Sequence, residues 1–166
     1  MSHNHTRVAV EFDAIWSELT VAPDADIVRI QASDLREAQQ QRARLRAEAV
    51  ERGESADSTA VFLDLEIHIA AEARTARREF AGLDAPISPS SIRYVGTPSG
   101  LASLISDVTA ADVADGVTLT VLGDVARQAV LVNNAVLPLL ESRGTRLDID
   151  VVDTVLGAPI APTLAS

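Results

Sequence analysis

The residues from Thr59 to Ile69 constrain the fold more than any other stretch of the chain. Val61, Leu63, Leu65, Ile67 and Ile69 alternate with Phe62, Asp64, Glu66 and His68. Successive side chains of a strand point to opposite faces. The period of two therefore puts the aliphatic residues on one side and an aromatic with three titratable groups on the other. Strictly aliphatic residues suit a face covered by helices. The polar set then points toward a barrel interior or a second layer.

Ile92 to Leu122 supplies a helix of the required kind. Thr97 suits an N-cap, and Pro98 suits the first helical position, where its missing N–H costs nothing. Leu101, Leu104, Ile105 and Val108 recur at helical spacing and make one apolar stripe. Ala114-Asp115-Gly116 interrupts it. Val117, Leu119 and Val121 then alternate with Thr118 and Thr120, which is strand chemistry. A helix, a short turn and a strand make half of a parallel-sheet repeat.

The remaining segments extend this pattern. Arg7 to Phe12 reads as a short strand, and Asp13 as the cap of a short helix through Leu19 anchored by Trp16. Ile27 to Ile30 is a second strand. Ser33 or Asp34 caps a long helix ended by Gly53, with Glu37 completing a capping box. On that helix Leu35, Ala38, Leu45 and Ala49 can face the sheet, while Arg42, Arg44, Arg46, Glu48 and Glu51 face water. Glu72 to Phe80 is a further helix and Ala85 to Ser91 a loop. Gly123-Asp124 opens a final helix through Ser142, in which Pro138 should make a kink. Leu147 to Val152 reads as a short strand in a tail. The fold class expected is α/β: a mostly parallel four-stranded βα-repeat sheet with a C-terminal helix and tail. Residues 1–6 form a flexible lead, 7–144 one domain and 145–166 the tail.

Composition removes several classes of function. The chain of 166 residues has 47% hydrophobic residues and a mean hydropathy of +0.15, enough for one domain with its own core. There is no cysteine, so there are no disulfides, thiolate metal sites or cysteine nucleophiles. All 14 basic residues are arginine, which removes Schiff-base chemistry and the phosphate-loop lysine. A net charge of −10 and a pI near 4.6 repel nucleic acid and anionic membranes. No apolar run approaches the ~18 residues of a membrane span, and Met1 to Arg7 lacks the apolar segment of a signal peptide. A cytoplasmic protein is the expectation. His3 and His5 belong to a frayed end rather than to a metal site.

Three features could carry chemistry. Asp64, Glu66 and His68 share a strand face, with His68 at the carboxyl end, where parallel-sheet enzymes place their sites. A carboxylate beside a histidine can act as an acid/base pair or as metal ligands. The same three residues can equally line a polar interior or an interface, with each charge paired to a nearby arginine. The Leu122-Gly123-Asp124 turn opens a helix whose free N–H groups could hold an anion, but the Asp124 carboxylate would itself take the cap. The Gly96-Thr97-Pro98 turn is first a device for starting a helix.

Three pieces carry a family resemblance. Arg93-Tyr94-Val95-Gly96-Thr97-Pro98, the strand entry Ala114-Asp115-Gly116, and Leu137-Pro138-Leu139-Leu140-Glu141-Ser142-Arg143-Gly144 resemble, in order and spacing, the C-terminal end of luciferase-like monooxygenases. The likeness runs from about Asp24 to Gly144. Those proteins are flavin- or deazaflavin-dependent oxidoreductases on a (β/α)8 barrel. The resemblance implies half of such a barrel, with Val8–Phe12, Ile27–Ile30, Phe62–Ile69 and Val117–Val121 as strands five to eight. A whole barrel takes about 250 residues. The half that carries the family's main catalytic residues has no counterpart here. The family's Ser/Gly turn near the flavin phosphate corresponds to Asp13-Ala14-Ile15-Trp16-Ser17, which has no glycine, so no flavin site is carried over. The expectation is a truncated luciferase-like protein that lacks a complete active site. It would bind FMN or deazaflavin only with a partner and act as a homodimer or beside a longer luciferase-like chain, because open sheet edges and an uncovered face invite association. Two alternatives stand beside it: a non-catalytic interaction module with the same fold, and a small α/β enzyme using Glu66 and His68.

Overall fold

A computed structural model describes residues 5–157. The expected strand 59–69 is the centre of the molecule. It forms β4 (Thr59–Ile69) and pairs in parallel with β3 (Asp26–Ile30), β5 (Ile92–Gly96) and β6 (Gly116–Val121). Beyond β6 lies β1 (Arg7–Phe12), also parallel, and β2 (Ile15–Glu18) closes that end antiparallel to β1. The path is β2-β1-β6-β4-β3, with β5 off the path on β4. The sheet is thus mixed and mostly parallel, and it matches half of a (β/α)8 barrel.

Register shows that the sheet is strongly curled. Arg29 lies in one row with Phe62, Gly116 and Arg7. In a flat sheet Glu11 would lie three strand spacings and four residues from Arg29, about 14 Å across and about 13 Å along. Yet the Arg29 guanidinium bonds the Glu11 carboxylate directly. The charged face of the sheet is therefore concave.

The convex face carries the core. Val8, Val10, Val61, Leu63, Leu65, Ile67, Ile69, Val117 and Leu119 pack in one cluster with Ala38, Leu101, Ile105, Val108, Val136, Leu137, Leu140 and Val152. These come from helices α1 (Leu35–Glu51) and α3 (Pro98–Ala110), the π-helical turn Val132–Val136, α5 (Leu137–Ser142) and α6 (Ile149–Leu156). Helix α2 (Ala73–Ala81) contributes nothing to this cluster.

The expected caps form. Asp34 accepts the Glu37 N–H at 2.7 Å, and the Glu37 carboxylate accepts the Ser33 N–H, also at 2.7 Å. Those two Ser33 bonds, from its hydroxyl and its backbone, hold the Glu37 carboxyl below its ordinary range. Thr97 caps α3. Pro138 exerts its effect one turn earlier than a simple kink. The helix from α4 (Val125–Leu131) widens into the π-helical turn, because a proline removes one backbone donor and crowds the carbonyl four residues before it.

Several local expectations are corrected. Residues 13–19 are not a helix. Asp13 (φ 50°) and Ala14 (φ 63°) form a two-residue turn with both residues left-handed, and Phe12 pairs with Ile15 across it. That geometry matches the right-handed twist of a hairpin. Residues 92–96 are a fifth parallel strand rather than an entry turn. The four expected strands do form, but β6 lies between β1 and β4, not at the end of a simple succession. Leu147 to Val152 is not a strand, since Ile149–Leu156 is helical. Leu147 makes one antiparallel bridge with Thr20, and the Asp148 N–H bonds the Leu19 carbonyl. The segment from 145 thus covers part of the edge beyond β2, and Val152 joins the core. Arg42 does not face water. It reaches buried Asp115 at 2.9 Å, whose other oxygen accepts the Val61 N–H at 2.8 Å. The expected flexibility of residues 1–4, His3 and the end of the tail, 158–166, lie outside the described residues.

Candidate functional site

The concave face is an array of ion pairs laid across strands. Asp64 holds Arg29 with two bonds of 3.1 Å, and Arg29 also bonds Glu11. Burial pulls the Arg29 guanidinium down, but the bonds to Asp64 and Glu11 outweigh it and leave the group above its ordinary value. Arg7 meets Glu18 through bonds of 2.7 and 2.9 Å and lies over the Phe62 ring. Trp16 packs edge-on against Phe62 and donates its indole N–H to the Thr118 hydroxyl at 2.9 Å. Gly116 is required beneath them. A Cβ there would stand 2.8 Å from the Arg7 carbonyl oxygen and 3.0 Å from Phe62.

Glu66 and His68 lie farther along the same face, each with its own partner. Glu66 accepts from Arg93 at 3.1 Å, and Arg93 also donates to the Pro86 carbonyl at 2.7 Å and lies over Phe80. His68 is only 4% exposed. Its Nδ1 lies 2.8 Å from the Leu122 carbonyl and its Nε2 2.9 Å from Glu79, whose other oxygen accepts from Arg127 at 2.7 Å. Arg127 first, and then His68, hold the Glu79 carboxyl below the ordinary carboxylate range.

The strand places Asp64, Glu66 and His68 on one face, but their contacts do not converge. Asp64 belongs to an Arg29 cluster, Glu66 to an Arg93 cluster, and His68 to a Glu79–Arg127 cluster. Among the described residues no group of three or more His, Asp or Glu is arranged to hold a metal ion.

The two helix-opening turns are internally satisfied. Asp124 accepts the Arg127 N–H at 3.1 Å, as its position suggests. Thr97 accepts the Gly100 N–H at 3.2 Å, and the Tyr94 hydroxyl donates to the Thr97 carbonyl at 2.8 Å. That hydroxyl occupies the space that a Cβ on Gly96 or Gly100 would need.

Two features were missed in the sequence. Gln128, 1% exposed, accepts the Ile69 N–H at 2.8 Å and donates to the Ile69 carbonyl at 2.9 Å. Gly123 (φ 97°) turns the chain away just after β6, and the Gln128 amide stands in for the next residue of the ladder. A glutamine carries no such signal in sequence. The second is a cavity of about 610 Å³ at the amino ends of the strands, lined by Arg7, Val21, Pro23, Arg46, Asp115 and Arg146 among others. Its position is opposite to the strand ends where barrel enzymes do chemistry. Most of its charges are already paired: Arg7 with Glu18, Arg46 with Asp57, and Asp115 with Arg42.

No protein-family model matches the sequence, and no curated protein matches it. Solved structures do. Riboflavin lyase RcaE, solved with modified FMN and the substrate riboflavin, is similar at a TM-score of 0.62 and 17% identity, over 92% of this chain and 53% of that one. EDTA monooxygenase EmoA from Chelativorans sp. BNC1 is similar at 0.62 and 17%, over 81% and 44%. Long-chain alkane monooxygenase LadA is similar at 0.60 and 15%, over 81% and 41%. These are luciferase-like flavin-dependent proteins. The chain has a partial luciferase-like fold. This luciferase-like half-barrel spans about half the length of the solved structures it matches. Among its described residues no helix is long and apolar enough to cross a membrane.

Proposed function

We propose that this luciferase-like half-barrel has no self-contained active site and acts as a cytoplasmic subunit, either as a homodimer or beside a longer luciferase-like chain. The observation that carries this reading is the separation of Asp64, Glu66 and His68 into three ion-paired clusters. General acid/base work needs groups that converge on one reacting atom.

The residues present do not fit FMN or a deazaflavin on this chain alone. The helix starts at Thr97 and Asp124 use their own side chains as caps, and Tyr94 fills the space against Gly96 and Gly100. A flavin would need groups supplied by the partner. The solved neighbours, each about twice this chain's matched span, support such a division.

A second reading is favoured by the concave face. Its charges are neutralised within the chain, by Arg7, Arg29 and Arg93 against Glu11, Glu18, Asp64 and Glu66. A face that satisfies itself suits a non-catalytic structural module that needs no second half.

Size-exclusion with light scattering and an FMN fluorescence titration test both readings. The subunit reading expects association and no quenching by the isolated chain. Quenching by the isolated chain would overturn the claim that the site is incomplete. A monomer at every concentration that captures no luciferase-like chain would leave only the second reading.

A further inference from the structure

We propose that α2 is a lid over the carboxyl end of β4, held shut by a doubly protonated His68 and released as the pH rises. The proposal goes beyond the subunit reading and stands on the bonding of one buried ring.

Nδ1 of His68 faces the Leu122 carbonyl at 2.8 Å. A carbonyl oxygen only accepts, so this nitrogen carries a hydrogen. Nε2 faces the Glu79 carboxylate at 2.9 Å. That carboxyl, held down by Arg127 and His68, is ionised and also only accepts. Both ring nitrogens therefore donate, and the ring is an imidazolium. If Nε2 loses its proton, a nitrogen lone pair faces a carboxylate at hydrogen-bond distance and the contact becomes repulsive.

The contact matters because α2 has few others. It adds nothing to the main core, and Ala76 is its one buried residue. Its remaining hold on the sheet is Phe80 over the Arg93 guanidinium. The charged groups around the ring are few. Glu79 on α2 touches it, and Arg127 on α4 acts through Glu79. Asp124, in the turn before α4, is engaged in capping. Glu66, two residues away on β4, is paired with Arg93 on β5. None of these offers Nε2 a replacement acceptor or donor. Beneath the lid, Glu66 Oε1 and Arg93 Nε are buried without a hydrogen-bond partner. Opening α2 would present this acceptor and this donor to solvent or to a polar ligand.

The test combines nitrogen NMR of the His68 ring with amide hydrogen exchange on the full chain, rates being corrected for intrinsic pH dependence. His68 is distinguished from His3 and His5 by comparison with H68Q. The expected result is hydrogen on both His68 nitrogens at pH 6. Protection of the α2 amides should fall about tenfold or more between pH 6 and pH 8, through local opening, while α3 stays unchanged. In Glu79→Gln the amide can accept from the charged ring or donate to the neutral one, so α2 protection should become independent of pH. A single protonated nitrogen at pH 6 would overturn the proposal. So would constant α2 protection in the wild-type chain, or a wild-type pH dependence in Glu79→Gln. The wild-type measurements decide the matter even if the variant fails to fold.

Discussion

On the convex side of β4, Val61, Leu63, Leu65, Ile67 and Ile69 are wholly buried against aliphatic neighbours from five other segments. On the concave side, Asp64, Glu66 and His68 alternate with them and each meets one charged partner. The same eleven residues thus build two surfaces with different rules. The convex side is held by burial, which is non-directional and grows with area. The concave side is held by pairs whose worth depends on geometry and on how wet they are. The convex face should therefore dominate stability and the concave face should set specificity of arrangement. A barrel-like interior can stay charged without its other half only because β1, β2, β3 and β5 each bring a group of opposite sign.

The comparison can be broken most directly at Leu65. Leu65→Ala should cost about 2–5 kcal/mol in urea unfolding, because the cavity cannot collapse between sheet and helices. A cost no larger than that of a concave-face change would remove the distinction. Gln128→Ala should cost about 2 kcal/mol by leaving the buried Ile69 N–H and carbonyl unmatched. Calorimetry would show a lowered melting temperature, and an unchanged one would mean that solvent or a neighbour replaces the amide. Asp64→Asn should cost at most about 1 kcal/mol, since its partner Arg29 is a third exposed, and the cost should shrink in high salt. Salt-independent destabilisation would show that the concave face is as dry as the core. Ala14→Gly should stabilise the chain by about 0.5 kcal/mol, because alanine is strained at φ 63° and glycine is not. A loss of stability there would contradict the left-handed hairpin turn.

The smallest effect expected is in acid. The Glu79 carboxyl titrates lower in the folded chain than in the unfolded one. Its contribution is therefore complete above the unfolded value and is lost as pH falls through the lowered folded value. Glu79→Gln should flatten that limb of a stability-against-pH curve. A limb of unchanged steepness would mean that the Arg127 and His68 contacts do not form in solution.

Most of the sheet was legible because its signals are local. The alternation at 59–69 and 117–121 needs only neighbouring residues to be recognised, and so do the caps at Asp34, Thr97 and Asp124. The misread segments are those where a local signal had two meanings. Asp13 can cap a helix or enter a left-handed turn, and the pairing of Phe12 with Ile15 decided for the turn. Arg42 at helical spacing looked solvated because Asp115, its partner, lies 73 residues away. Residues 92–96 are too short and too mixed to announce a strand, and become one through the register of β5 on the second half of β4.

The sequence alone determined which residues are apolar and at what period. That decided an α/β sheet with one aliphatic face, since water drives burial wherever those residues sit. Only the tertiary structure decided which charge meets which. Arg29 reaches Glu11 and Asp64 through the curl of the sheet, and His68 reaches Glu79 through the placement of α2. Ion pairs act over a few ångströms in space whatever their separation in the chain, so their partners are written in the fold and not in the spacing.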